Sequence, residues 1–314
     1  MLRYISKRLL ALIPVLLGAT FIVFAIMHFT PGDPAALMLP QDATRAEIEA
    51  MREHLGLNDP FLVQYGNFLF GLVRADLGRS FRTGQPVVGL ILSRLPATMQ
   101  LAAASMVVAM LIGLIAGIVA AIKQYSFWDG GAMFTALLGV SMPNFWLGLM
   151  LILFFAVFWS NAYGYTLLPA SGYGTIRHII MPAVVLGTAH AAFITRITRS
   201  SMLEVLRQDY VRTARSKGLS EWTVVFSHAL RNALMPVVTI AGLRFGVLLG
   251  GSVVTERIFA WPGIGRLLID AVRAQDYNVV QGIILTYAII FSLVTLAVDL
   301  LYTLIDPRVR TQYK

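Results

Sequence analysis

The 314 residues include no cysteine, which excludes disulfides, thiolate metal sites and cysteine nucleophiles. Charge is also scarce, at 13% of residues against 57% hydrophobic, where a soluble domain carries roughly a quarter charged residues. A chain with so few charges is a polytopic membrane protein. No GxxxxGK[ST] sequence occurs, so the chain has no nucleotide-binding P-loop of its own. The histidines at 28, 54, 178, 190 and 228 follow no metal-ligand spacing, and His178 and His190 lie about 120° apart around a helix of 3.6 residues per turn. The formal net charge of +9 comes without an aromatic-basic groove or a recognised nucleic-acid motif. Topology accounts for it instead, and no nucleic-acid partner is expected.

What the chain has in quantity is long apolar runs. Residues 9–27 follow Arg3, Lys7 and Arg8 without a formal charge, and that length crosses a bilayer. The short apolar core and small-residue cleavage site of a signal peptide are not evident, so an uncleaved first span is expected. Further spans are expected at 95–122, within 132–159, at 178–195, near 233–255 and near 279–305, giving an all-α fold of six transmembrane helices. The third run contains Pro143 and Asn144; too short for two passes, it is expected as one kinked helix. With a cytoplasmic N-terminus, segments 1–8, 123–129, 196–231 and the tail from 306 face the cytoplasm and together hold the whole net charge of +9, the positive-inside bias. Residues 28–94 are mixed in charge and rich in turns, with Pro31-Gly32-Asp33-Pro34, a helical pattern over 44–57 and Asp76-Leu77-Gly78. They are expected to form an ordered extracytoplasmic subdomain between the first span (1–27) and a five-helix core (95–314).

One polar, basic stretch, 201–231, interrupts the core. Ser201 followed by Glu204 fits a capping box and so a helix start. Gly218 suits a left-handed helix end, and Ser220 the cap of the next helix. Between them Tyr210, Val211 and Ala214 recur at helical spacing while Arg212, Arg215 and Lys217 point elsewhere, making an amphipathic surface helix. It reads either as a helix that lies in a partner's groove or as a cytoplasmic loop whose arginines only set orientation.

The run Tyr210-Val211-Arg212-Thr213-Ala214-Arg215-Ser216-Lys217-Gly218-Leu219 resembles the EAA loop of binding-protein-dependent ABC importer permeases, in the form seen in the peptide and nickel group. Arg212-Thr213-Ala214 stands where Glu-Ala-Ala is usual, and His228-x-Leu230-Arg231 where Ile-x-Leu-Pro is usual, departures common in the peptide subgroup. The PGDP element, Leu55-Gly56-Leu57-x-x-Pro60 and Leu95-Pro96-Ala97-Thr98 resemble the B-type subunit of dipeptide and oligopeptide importers. The resemblance therefore covers nearly the whole chain. It implies the type I ABC importer permease fold, with Tyr210, Val211, Arg212, Thr213, Ala214, Arg215, Lys217, Gly218 and Leu219 coupling to an ATPase subunit. It also implies a second homologous permease, two ATPase subunits that carry the ATP and Mg, an extracytoplasmic solute-binding protein, and a location in the bacterial cytoplasmic membrane. No cofactor is expected on this chain.

Other candidates belong to the path or the interfaces. Small residues recur at Ala109, Gly113, Gly117 and Ala121, and again at Gly242, Gly246 and Gly250, stripes that let helices approach closely. They serve packing within the chain or, for the second stripe, an interface with the other permease. Arg244 and Asp299 are charges inside apolar spans, about 16 Å and 10 Å deep at 1.5 Å per residue. They pair with each other, or Arg244 lines a path for an anionic group, or neither. Asn144, at the kink, is a further path candidate. In Glu256 to Arg266, ERIFAWPGIGR, Phe259 and Trp261 suit the outer interfacial belt, or contact with a binding protein. The expected function is import of a peptide-like solute by alternating access, with a nickel chelate or glutathione as alternative cargo. An ion-coupled secondary transporter would show internal repeats, and none is seen. An intramembrane hydrolase has only Ser141 and His190 to offer.

Overall fold

The computed structural model describes the backbone of residues 2–30, 32–40 and 42–305, and the side chains of these except 2–9, 37, 299 and 301–305. Among the described residues every regular element is helical, apart from an isolated antiparallel bridge between Arg79 and Pro86. Six helices are long and apolar enough to cross a membrane: α1 (Leu2–Phe29, apolar from Leu10), α5 (Val87–Ile122), α7 (Asn144–Tyr163), α8 (Ile176–Leu206), α10 (Glu221–Gly251) and α13 (Tyr277–Ile305, apolar to Val298). The shorter helices are α2 (Pro34–Met38), α3 (Arg45–His54), α4 (Phe61–Val73), α6 (Phe127–Ser141), α9 (Asp209–Ser216), α11 (Val253–Ile258) and α12 (Ile264–Arg273). The chain forms two compact units: Met1–Thr98 with Pro262–Ser292, and Met99–Trp261 with Leu293–Lys314.

In the first unit the turn chemistry of 28–94 sets the short helices. Asp33 caps α2 by accepting from the Ala35 amide at 3.1 Å. Thr44 and Glu47 form a reciprocal capping box at the start of α3, which satisfies two otherwise free amides. α4 packs on α1 through an aromatic cluster, with Phe24 5.4 Å from both Phe61 and Tyr65. The core of the unit gathers Met27, Val87, Ile91, Ile264, Ala271, Val279, Val280 and Ile283. Asp276, 3% exposed, pins the loop before α5: it accepts from the Ser80 hydroxyl at 2.5 Å and the Phe81 amide at 3.2 Å.

In the second unit α8 is the hub, packed by α5, α6, α7 and α10. Close approach is bought with glycine on both sides of the α5–α8 contact. A Cβ on Gly113 would lie 2.6 Å from Ile194 Cβ, one on Gly117 2.8 Å from the Thr195 carbonyl oxygen, and one on Gly187 2.9 Å from that of Ser105. The stripe in α5 is therefore a packing surface within this chain. Gly139 does the same for α6 against Thr188.

Three expectations are corrected. The third run is not one kinked helix: α6 ends at Ser141, Met142 and Pro143 are non-helical, and α7 starts at Asn144. The fixed proline φ and missing amide end the first helix and begin the second. Ser201 does not begin a helix but lies buried inside α8, because the apolar contacts of Met202 with α5 and α10 carry the helix past it. Phe259 and Trp261 are not interfacial anchors; they are 1% and 2% exposed. Phe259 packs on Met181 and Val185 of α8, and Trp261 meets Tyr173 edge-on at 4.8 Å.

Candidate coupling segment and membrane path

The polar stretch is a helix, a turn and a second helix. α9 closes with a Schellman pattern: the Gly218 amide donates to the Arg215 carbonyl at 2.9 Å, and the Leu219 amide to that of Ala214 at 3.4 Å. Gly218 has φ +78°, the left-handed conformation that glycine adopts without a Cβ penalty. Ser220 then caps α10 by accepting from the Thr223 amide at 3.3 Å. Arg215 clamps the two helices across the turn, its Nε 2.8 Å and Nη2 3.3 Å from the carboxylate of Glu221. α10 opens with a π-helical turn at Val224–Ala229.

The amphipathic face has an occupant inside the chain. Val211 and Ala214 are 0% and 6% exposed and form a cluster with Val224, Val205 and Leu206. The small apolar face that sequence alone offers to a partner's groove instead holds α9 against α8 and α10. What remains outside is a different surface: Tyr210, Arg212, Thr213, Arg215, Lys217, Gly218 and Leu219 are all exposed, with Trp222 beside them at 72%. Tyr210 is held by its hydroxyl, which accepts from Asn232 Nδ2 at 2.7 Å. The arrangement is a rigid polar knob with two apolar side chains, Leu219 and Trp222, presented at its tip.

Sequence reasoning missed the charge pair that fixes the neighbouring helix. Asp129, at the start of α6, receives both Nε (2.7 Å) and Nη2 (2.8 Å) of Arg199 from α8, with side chains 9% and 26% exposed. The Tyr125 amide adds a third bond at 3.0 Å. The Arg199 guanidinium holds the Asp129 carboxyl below its ordinary range. The residues are 70 positions apart, so no local pattern links them; the one signal is an acid beside one apolar run and a base at the end of another. Asp129→Asn is expected to destabilise the protein by an amount between about 1 kcal/mol for an exposed pair and about 5 kcal/mol for a buried one. Because the folded-state pKa is lowered, this stabilisation is present above the ordinary carboxylate pKa of about 4 and is lost as pH falls through the folded value. Thermal midpoints of wild type and variant in detergent should therefore converge in acid; a constant gap would show that the pair acts through packing alone.

The path candidates are dispersed. Arg244 lies over the ring of Phe193, its guanidinium carbon 3.6 Å from the centroid, an attractive cation–π placement. The side chain of Asp299 lies outside the described residues, and with it the expected pair. Asn144 is half-buried at the first turn of α7. Of the α10 stripe, Gly242 faces Val298 of α13, whose side chain a Cβ would overlap; Gly246 is buried; Gly250 is exposed with nothing within 4 Å of a built Cβ. The Ser141 hydroxyl donates to the Leu137 carbonyl at 3.0 Å, a bond internal to α6.

Two family models match the chain. Residues 1–102 fit the N-terminal part, and residues 113–311 the main part, of the binding-protein-dependent transport system inner membrane component. The chain belongs to this permease family. It is 46% identical to the dipeptide transport system permease protein DppB of Alkalihalophilus pseudofirmus, over 99% of this chain and 100% of that protein. It is 45% identical to the glutathione transport system permease protein GsiC of Escherichia coli O6:H1 and 43% to DppB of Escherichia coli K12, over 99% of both chains in each case. Among solved structures, it is similar to a chain of the methionine ABC transporter MetNI in inward-facing form, with a TM-score of 0.55 and 18% identity, over 69% of this chain and 96% of that one. The likeness at that identity concerns the fold, the type I permease fold. As a permease of this family, the chain is a multi-pass transport subunit.

Proposed function

We propose that this permease imports short peptides across the bacterial cytoplasmic membrane, paired with a second homologous permease and driven by two ATPase subunits that carry the ATP and Mg. An extracytoplasmic binding protein would deliver the solute. The observation that carries the reading is near full-length similarity to permeases named for dipeptide and glutathione transport, with unbroken coverage of both the N-terminal part and the core. Those two relatives lie at nearly equal identity, so a dipeptide and the tripeptide glutathione are the two cargoes to compare. The surface around Leu219 and Trp222 is the one that would meet an ATPase subunit, because both apolar side chains are exposed beside the Arg215–Glu221 clamp. The charge distribution supports an orientation with both termini and this tip in the cytoplasm. Alternating access follows from two-state linkage: a binding protein shifts the equilibrium only by preferring the outward-open form.

The test is uptake of labelled dialanine and labelled glutathione by cells that have the complete transporter or lack this chain. Chain-dependent, ATP-dependent uptake of one of them is expected, and failure of both would overturn the peptide reading. In the same cells a cysteine at the exposed Asn161 should react with an impermeant reagent added outside, and one at the exposed Ser216 should not; labelling at 216 would reverse the orientation.

A further inference from the structure

We propose that the first unit carries its own binding site for a small zwitterion of di- or tripeptide size. The site is a cavity of about 500 Å³ enclosed by the end of α1, the α2–α3 region, α4, the loop before α5 and the first turns of α13. That volume falls in the range of small-molecule pockets, about 300–1,000 Å³. The identification of the zwitterion as a peptide rests on the peptide-import reading; the site itself does not.

The lining supplies a group for each end of such a ligand. Arg52, a lining residue, is held in place by Asp33, with Nε 3.0 Å and Nη2 2.9 Å from Oδ2, while its Nη1 is 3.6 Å from Glu49, beyond hydrogen-bond distance. A guanidinium fixed on one edge is preorganised to receive a carboxylate on another. Asp76 accepts from the Gly78 amide at 2.8 Å but forms no ion pair among the described residues, which makes it the natural partner of an ammonium group. Phe24 and Phe68, with ring centroids 5.8 Å apart, add apolar lining.

Tyr277 is what separates a built site from a surface dent. Its hydroxyl is buried and has no hydrogen-bond partner among the described residues, although buried polar groups are nearly always paired. Gln281, 7% exposed, follows one helical turn later on the same lining face of α13. Tyr277, Asn278 and Gln281 place three polar side chains of the first turns of α13 on the lining; Asn278 donates to the Arg79 carbonyl at 2.9 Å, and the unpaired Tyr277 hydroxyl suits hydrogen bonding to a peptide's amide or carboxylate in the cavity. Tyr65 of α4, by contrast, donates to the Leu17 carbonyl at 3.1 Å.

The full chain in lipid nanodiscs is titrated calorimetrically with dialanine and with N-acetyl-dialanine methylamide, which has neutral ends. Saturable binding of dialanine and none of the capped peptide is expected. Asn67→Trp, at an exposed position of the lining, should block the site. Tyr277→Phe should weaken dialanine binding about tenfold, roughly 1.4 kcal/mol, while leaving the thermal midpoint unchanged or raised, since it deletes an unpaired buried hydroxyl. No saturable binding, equal binding of the capped peptide, wild-type affinity in both variants, or a Tyr277→Phe midpoint that falls with the affinity would each overturn the site. Uptake by cells separates the two readings: dialanine uptake with no binding to the purified chain removes the cavity proposal alone, whereas dialanine binding with uptake of neither dialanine nor glutathione removes the import reading and leaves the cavity.

Discussion

Gly117→Val should abolish accumulation of folded protein. The first atom of the new side chain would sit 2.5 Å from Thr198 Cβ and 2.8 Å from the Thr195 carbonyl oxygen, both fixed parts of α8 rather than the free end of a flexible chain. Relief requires α5 and α8 to separate, and the same helix pair is already at contact distance at Gly113 and Gly187. Overpacking of this kind costs about 1–3 kcal/mol or more, and here it strikes the hub on which α6, α7 and α10 also pack. Gly130, on α6, has nothing within 4 Å of its built Cβ, so Gly130→Ala should be neutral or stabilise by up to about 1 kcal/mol through the lower entropy of the unfolded chain. Thermal midpoints and the monodisperse fraction in detergent distinguish the two. Wild-type yield and midpoint for Gly117→Val would mean that the α5–α8 contact is not as close as described.

The coupling segment should show two separate ways of failing. Ala214→Asp places a carboxylate among Val211, Val224, Val205 and Leu206, where an uncompensated buried charge costs about 3–5 kcal/mol. α9 should come away from the chain, and transport should be lost together with local protease resistance around 209–220. Leu219→Asp changes an exposed side chain and should leave the midpoint within about 0.5 kcal/mol of wild type, yet transport and co-purification of the ATPase subunits should fall at least tenfold, because interface energy concentrates in a few central apolar residues. Lys217→Ala, at the rim, should be mild. Normal co-purification and transport in Leu219→Asp would show that the tip is an ordinary surface loop and that coupling lies elsewhere.

Much of the local structure of 201–231 is legible in the sequence. Gly218 and Ser220 act where their chemistry predicts, since a left-handed helix end and a hydroxyl cap depend only on neighbours within a few residues. The periodicity of Val211 and Ala214 was equally legible as an apolar face, but periodicity states that a face is covered and not by what. Its cover proved to be Val205, Leu206 and Val224 of the same chain. Ser201 misled for the complementary reason: a capping box is a local preference of about 1 kcal/mol, outweighed by the burial of Met202 in the cluster with Ile118, Val225 and Ala229.

The sequence by itself determined that the chain lives in a membrane, that it is helical and that six of its helices cross. An uncharged run of about twenty residues has no stable alternative to a helix once its backbone must be satisfied without water. It also carried the family, through short motifs whose order along the chain survives without any knowledge of their packing. Tertiary structure decided the rest: that Phe259 and Trp261 turn inward, that Asp129 meets Arg199, and that Tyr277 faces a cavity with its hydroxyl unpaired. Each of these depends on groups far away in the chain, such as the 70 residues between Asp129 and Arg199 or the 244 between Asp33 and Tyr277 that share one cavity. In an apolar sequence nearly every span offers several equally hydrophobic faces, so composition leaves the choice of neighbour open, and only close packing, with glycine where backbones must touch, selects one.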